Sequence, residues 1–274
     1  MIRLVSFLML AALVLSAMAC GPKIAATTRP AGESAVAPAP PVVGNPAAAG
    51  FDELGSDRRA IELADRVMDR LGGRAAWDGT RYITWRFFGG RRHVWDKWTG
   101  NHRLEDGDLT VLSNIHDQSG RAWEAGVEVT DPDTLEARLQ KAYSAWVNDS
   151  YWLVMPYKLK DSGVTLKYVG DGMTEEGLPA HILDLTFRDV GRTPQNRYQV
   201  WVDIDKSLVR QWSFYREAAD EEPRFIRTWG NWQAYGDILL NDDFGQSRHT
   251  EIAVYDELPE TVFTSASENF SPSH

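Results

Sequence analysis

The sequence predicts a mainly β domain of the α+β class, in which one large antiparallel sheet turns an apolar face toward two covering helices. Three observations carry this. Apolar residues recur at helical spacing in two stretches only, they alternate with period two through most of the remainder, and short Gly-, Asp-, Asn- and Ser-containing turns separate the alternating runs.

The elements follow in chain order. From Asp57, the residues Ile61, Ala64, Val67, Met68 and Leu71 mark one helix face, with Ser56 or Asp57 to cap its start and Gly72-Gly73 to end it. Over 81–88 one parity holds Ile83, Trp85 and Phe87, and Gly89-Gly90 makes a two-residue hairpin turn into a strand over 92–99. The meander continues through 109–116 and 121–129. Asp131-Pro132 then offers a cap followed by proline at the first helical position, and Leu135, Leu139, Ala142, Tyr143, Trp146 and Val147 give a second helix over 132–147. Strands resume at 164–169, 181–188, 197–204, 208–216, 224–232 and 248–255. In 198–204, Gln199 and Asp203 oppose Tyr198, Val200, Val202 and Ile204, so one face of the sheet is expected buried and the other wet.

The N-terminus assigns the compartment. Arg3 precedes an apolar run over 4–15, shorter than the roughly 20 residues of a membrane-spanning helix, and small residues lead to Cys20. Residues 1–19 are therefore read as a signal peptide. Cys20 is the only cysteine, which excludes an intrachain disulfide and a cysteine metal cluster. Ser16-Ala17-Met18-Ala19-Cys20 resembles the lipobox of bacterial lipoproteins, which implies acylation of Cys20 and attachment to the membrane through it. Gly21 stands where the enterobacterial lipoproteins it resembles carry Asp for inner-membrane retention, so the periplasmic face of the outer membrane is the expected location. Residues 20–50 are rich in Pro and Ala and lack aromatics. They are expected to form a disordered tether with a span of roughly 30 Å. Residues 51–274 are expected to form one domain.

The formal net charge of -10 removes the basic field that nucleic-acid binding would need. No GxSxG elbow, SxxK, phosphate-cradling glycine loop or cysteine nucleophile is present in the folded part, so a non-enzymatic role without cofactor is expected. Asp203 and Asp205 share a strand parity but flank a turn. His93, His102 and His116 lie in successive segments without the spacing of a metal site, and none is expected. Asp237, Asn241, Asp242 and Asp243 lack the glycine and spacing of a calcium loop and are read as a solvated turn.

One longer run has a recognisable character. Asn148-Asp149-Ser150-Tyr151-Trp152-Leu153-Val154-Met155-Pro156-Tyr157-Lys158-Leu159-Lys160-Asp161-Ser162-Gly163-Val164, the strand pair over 198–212, and Leu258-Pro259-Glu260-Thr261-Val262-Phe263 resemble an uncharacterised family of bacterial envelope lipoproteins. That family is similar in turn to the LolA/LolB-like carriers that sort lipoproteins to the outer membrane. The likeness spans about 60–264, and Trp152 to Leu159 is its specific part. It implies an open half-barrel of antiparallel strands, its concave face covered by helices around an apolar cavity that takes lipid or lipoprotein acyl chains. The anchored chain points to a carrier or acceptor role.

The eleven tryptophans fall between Trp77 and Trp232. On the expected buried parity stand Ile83, Trp85, Phe87 and Trp98, then Leu183, Leu185 and Phe187, then Val200 and Val202, then Trp212 and Phe214. With Leu139, Tyr143 and Trp146 of the second helix acting as a lid, these are the candidate cavity lining, against the plainer reading that they fill a core. Trp95 shares its parity with His93 and Lys97, and Trp201 with Gln199 and Asp203. As exposed aromatics they would serve an alternative role, an anchored module that stacks on an envelope glycan or binds a protein partner, unless they merely pack on cross-strand arginines.

Overall fold

The computed structural model describes residues 44–270 apart from 189, 192 and 269. Cys20, the leader and most of the Pro/Ala-rich segment lie outside the described residues. No helix among the described residues is long and apolar enough to cross a membrane. The chain packs onto the domain before Phe51: the Asn45 side chain donates to the Asp65 carbonyl and accepts from the Arg74 N–H, and the Lys160 ammonium donates to the Asn45 carbonyl and to Asp65.

Helix α1 (Arg58–Arg70) buries Ala64, Val67 and Met68 as its spacing requires, with Leu71 just beyond, but the face is turned so that Ala60 and Leu63 are buried and Ile61 is only half-buried. Asp57 precedes it without a side-chain cap bond and instead accepts from the Lys167 ammonium and the Tyr168 N–H. Gly72 ends the run at φ +116°, where a Cβ would stand 2.2 Å from the Asp237 carbonyl oxygen, and α2 (Gly73–Gly79) follows.

Strands β1 (Tyr82–Arg86), β2 (Arg92–Asp96), β3 (Asn101–Asp106), β4 (Leu109–Asn114), β5 (Gly120–Glu124) and β6 (Val127–Glu128) make an antiparallel meander. β1 stops two residues short of its expected end, because Phe87–Gly89 turns into a 3-10 segment with Phe88 at φ +47°. The strand expected over 92–99 ends at Asp96, whose carboxylate accepts from the N–H groups of Trp98 and Thr99 to form a turn into β3. Helix α3 (Pro132–Val154) starts as expected, with Asp131 accepting from the Thr134 N–H at 2.9 Å, but runs seven residues past Val147. The polar Asn148-Asp149-Ser150 step does not break it, because Asp149 finds buried partners; Pro156 lies just beyond its end.

Strands β7 (Val164–Met173), β8 (Pro179–Phe187), β9 (Arg197–Asp203), β10 (Val209–Tyr215) and β11 (Phe225–Thr228) form a second antiparallel sheet in the order β11-β10-β9-β8-β7. Ile204, beyond the end of β9, is exposed. The run expected over 224–232 is broken at Gly230 into β11 and β12 (Trp232–Tyr235), which pairs with β13 (Ile238–Asn241). Finally β14 (Thr250–Tyr255) pairs with β1, completing a seven-stranded sheet in the order β14-β1-β2-β3-β4-β5-β6, and α4 (Thr261–Thr264) follows. The fold is thus mainly antiparallel sheet in an open, half-barrel arrangement with a few helices, its strands divided by the α3 crossover.

Cross-strand register shows which side chains share a face. In the larger sheet, Ile83 stands opposite Trp95 and Trp95 opposite His102, while Trp85 stands opposite His93, His93 opposite Leu104, and Leu104 opposite Val111. All are buried. This corrects the placing of Trp95 and His93 on a polar face: their neighbours Asp96 and Lys97 suggested solvent, yet Trp95 is 8% exposed and meets Trp146 of α3 at 5.3 Å.

The opposite face is not wet either. Arg103, 2% exposed, donates to the carbonyls of Val262, Ser265, Ala266 and Glu268, and Phe263 stacks on Tyr82 at 6.0 Å, so the C-terminal segment straps the outside of the sheet. In the smaller sheet Gln211, Ser213 and Asp203 are buried on the face opposite Val200 and Val202, and Gln211 accepts from the Glu175 N–H of the β7–β8 turn. Alternation locates the core face, but covering loops decide how wet the other one is.

Most of the run from Trp152 to Leu159 builds the core. Leu153, Val154, Met155 and Leu159 are buried. The Tyr157 hydroxyl lies 2.9 and 2.7 Å from the Leu71 and Leu239 carbonyls and accepts from the Leu239 N–H, with Trp77 stacked on its ring at 4.4 Å.

Candidate aromatic mouth and buried polar chain

Two features meet where α3 crosses between the sheets. The first is a buried chain of polar groups. Asp149 of α3, fully buried, accepts from Arg91 Nε at 2.7 Å and Nη2 at 2.9 Å and lies 2.8 Å from His93 Nε2; His93 Nδ1 lies 3.0 Å from His102 Nε2. Burial opposes ionisation of Asp149, but hydrogen bonds from His93 and Arg91 outweigh it and hold the carboxyl below its usual range. An ionised Asp149 requires the proton of His93 on Nε2. His93 Nδ1 then accepts from His102 Nε2–H, which leaves His102 Nδ1 a buried lone pair without a partner. Burial pushes both imidazoles toward the neutral form, His102 the more strongly. Trp85 stacks on His93 at 4.5 Å.

His93 and His102, from successive strands, thus converge on a carboxylate. His116 sits apart, with its ring against Gly100. Among the described residues no group of three His, Cys, Asp or Glu is arranged to hold a metal. Asn241 is buried and accepts from the Asn231 N–H, and Asp242 and Asp243 pair with Arg248, so that cluster is tied into a loop.

The second feature is aromatic. Trp152 projects from α3 onto Trp212 at 4.8 Å, Phe88 at 5.2 Å, Phe225 at 5.5 Å and Phe244 at 5.5 Å. Tyr151 meets Tyr198 at 5.4 Å and Phe187 at 6.4 Å; Phe214 joins Tyr198 to Phe225 at 5.2 and 5.1 Å. Trp212 and Phe244 are buried beneath, whereas Phe87, Phe88, Tyr151, Trp152, Phe187, Tyr198, Phe214 and Phe225 are half-buried and linked ring to ring in one cluster. We call this cluster the mouth. Two arginines flank it: Arg91 over Phe87 at 5.2 Å and Arg227 over Phe225 at 5.3 Å, the latter without an ion pair among the described residues.

The candidate lining residues fall into three groups. Phe87, Phe187, Trp212 and Phe214 meet at the mouth, with Val200 and Leu185 fully buried on the same sheet face behind it. Ile83 and Trp85 line the larger sheet under α3, where Trp146 and Tyr143 lie 6.2 Å apart. Leu139 packs in a separate cluster with Leu104, Val111 and Ala142. Trp98 leaves the set: it is 38% exposed, in the turn after β2, and donates its indole N–H to the Asp78 carbonyl. Trp201 is half-buried on the outer face. Phe88, Tyr151, Trp152, Tyr198, Phe225 and Phe244 complete the mouth and were not singled out; Tyr151 and Trp152 stand in the recognisable run, and Tyr198 shares the parity of Val200.

Two pockets of about 460 and 350 Å³ lie elsewhere, beside the C-terminal strap. The larger is bounded by Arg81, Tyr82, Asn101, Asn114, Arg121 and Phe263, and exposes both polar and apolar surface.

No family model matches the chain, and no curated protein matches it. Solved structures do. A DUF1329 family protein from Desulfovibrio piger is 12% identical, over 77% of this chain and 98% of that one, with a TM-score of 0.39. An outer membrane lipoprotein-sorting protein domain from Vibrio parahaemolyticus is 12% identical over 75% and 96%, with a TM-score of 0.38. A LolA superfamily protein from Nitrosomonas europaea is 10% identical over 74% and 97%, with a TM-score of 0.29.

Proposed function

We propose that the protein is an envelope lipoprotein, acylated at Cys20, whose half-barrel takes up a lipid or lipoprotein acyl chain at the aromatic mouth in a carrier or acceptor role. The observation that carries this is the run of eight half-buried rings around Trp152. The rings touch one another, so entry of a chain requires them to separate and exchanges ring contacts for chain contacts. Each methylene withdrawn from water contributes about 0.8 kcal/mol, so a chain of about fifteen methylenes supplies about 12 kcal/mol against the roughly 8 kcal/mol of a micromolar Kd, leaving about 4 kcal/mol to offset that exchange and the cost of association. Arg227 at the rim, without an ion pair among the described residues, suits an anionic end group left in solvent. The buried His–Asp chain ties α3 to the larger sheet through Asp149, His93 and His102.

The test is titration of a fluorescent long-chain fatty acid into the mature chain carrying Cys20→Ser, which removes the acylation site. Binding in the micromolar range, weakened about tenfold or more by Trp152→Ala and by Phe225→Ala, is expected. Absence of binding to high micromolar concentration refutes the reading and leaves an anchored module for a glycan or protein partner, for which the pocket at Arg81 and Arg121 is the place to look.

A further inference from the structure

We propose that His249 is the polar anchor behind the mouth, receiving an uncharged group that both donates and accepts a hydrogen bond, a hydroxyl above all, carried on an otherwise apolar chain. This deepens the acyl-binding reading and rests on it.

His249 is 1% exposed, and neither ring nitrogen has a hydrogen-bond partner. A neutral imidazole carries one donor and one acceptor, and leaving both unmade in the interior is costly. Native proteins rarely tolerate such a group without a water or a ligand to complete it. The walls around it are apolar: Phe244 at 4.7 Å, Phe88 at 4.9 Å and Phe87 at 5.4 Å. Phe88 and Phe244 both pack against Trp152, so the imidazole sits directly behind the rings of the mouth. Trp229, edge-on to Phe244 at 5.0 Å, buries a second unpartnered donor, its indole N–H.

The backbone is bent to place this side chain. Between Thr84 opposite Ala253 and Arg86 opposite Thr250, β14 spends three residues where β1 spends two. The bulge reverses the parity of what precedes it, so Thr250 takes the outer side with Arg86 and His249 turns inward with Trp85. Glu251 occupies the bulge at φ +54° and is held there by Arg86 Nε and Arg92 Nε, each at 2.8 Å. Phe88, on the other side of the imidazole, is also left-handed at φ +47°. Two non-glycine residues in this region, flanking one unsatisfied imidazole, are the kind of strain that accompanies a binding site.

The complement of a neutral imidazole is an alcohol. Burial pushes His249 down to about 3, so it offers no positive charge to an anion, and the ionised Asp149 nearby opposes one. A hydroxyl can donate to the unprotonated ring nitrogen or accept from the protonated one, satisfying one of the two, and leaves the remainder of the chain against Phe87, Phe88 and Phe244.

The experiment uses the mature Cys20→Ser chain and compares hexadecanoate with a positional series of monohydroxylated hexadecanoates, each displacing a bound fluorescent fatty acid. A hydroxyl with no partner weakens binding to an apolar site. We expect at least one isomer to bind about five- to tenfold tighter than the parent acid, the worth of one satisfied hydrogen bond. In His249→Phe, matched to its phenyl surroundings, the same isomer should bind more weakly than the parent. In the unsubstituted chain, the His249 ring ¹⁵N resonances should shift with that isomer and not with hexadecanoate, a readout that needs no variant. If every hydroxylated acid binds more weakly than the parent, or the preference survives His249→Phe, the inference is overturned while acyl binding stands; the imidazole is then completed by a structural water. If no chain binds, both readings fall.

Discussion

Lowering the pH from 7 to 5 should strip the domain of much of its stability, because it buries histidines in the neutral form. His102 and His249 are each 1% exposed; burial drives His102 well below the ordinary range and His249 to about 3. Their folded pKa values lie below the unfolded value of about 6.5, so the unfolded chain binds the protons. The stability they confer is whole above that value and falls as pH drops through it toward the folded values. A histidine that stays neutral when folded loses about 1.9 kcal/mol between pH 7 and 5, so this pair loses about 4 kcal/mol. His93 adds a smaller amount, since burial lowers it but its hydrogen bond to Asp149 works the other way. The contribution of Asp149, whose folded pKa is lowered, is present above about 3.8 and is lost below that window. Against a domain stability of about 5–15 kcal/mol, the loss is large. Urea unfolding at pH 7, 6 and 5, followed by tryptophan fluorescence, measures it. His249→Phe should reduce the loss by about 2 kcal/mol. A midpoint that stays level from pH 7 to 5 refutes the reasoning, since the imidazoles would then be taking up protons in the folded state.

Asp149→Ala strands the Arg91 guanidinium and the His93 N–H, and should cost about 3–5 kcal/mol, read from the same unfolding curves. Arg103→Ala removes the donors that hold four carbonyls of the C-terminal strap; limited proteolysis should cut residues 256–268 at least tenfold faster, and Arg103→Lys, without the fork, should rescue little. Val200→Asp places a carboxylate at a fully buried position and should cost several kcal/mol, whereas Gln199→Asp, half-buried and accepting from the Tyr215 hydroxyl, should cost about 1 kcal/mol. The mature protein should carry acyl mass at Cys20, and Cys20→Ser should release it from the membrane fraction.

The fold was legible in the sequence wherever a periodic pattern acted alone. Most of the stripe of α1, the Asp131-Pro132 start of α3 and the parity of Val200 and Val202 are where local chemistry puts them. Legibility failed where a distant partner changed the meaning of a residue. Asp149 looks like a helix breaker until Arg91 and His93 satisfy it, and His93 looks solvent-facing until Asp149 buries it. Arg103 belongs to a polar-looking face that is dry because the strap of 262–268 folds over it. Around Trp152, strand parity puts Phe187, Trp212 and Phe214 on one face, whereas Phe87 lies beyond the end of β1. Trp152 itself was not legible, because it lies beyond the end expected for α3, and His249 was not, because a one-residue bulge reverses which side it faces. Bulges leave no periodic signature, only a break in one.

Photo-crosslinking asks whether acyl chains enter among the rings around Trp152. The mature Cys20→Ser chain is irradiated with a fatty acid bearing a diazirine near its methyl end, digested, and the labelled peptides are mapped by mass spectrometry. The account expects label on the peptides holding Tyr151 and Trp152, Trp212 and Phe214, and Phe225, suppressed by excess unlabelled acid. Label confined to the peptides holding Arg81, Arg121 and Phe263, or label that excess acid does not suppress, would contradict it.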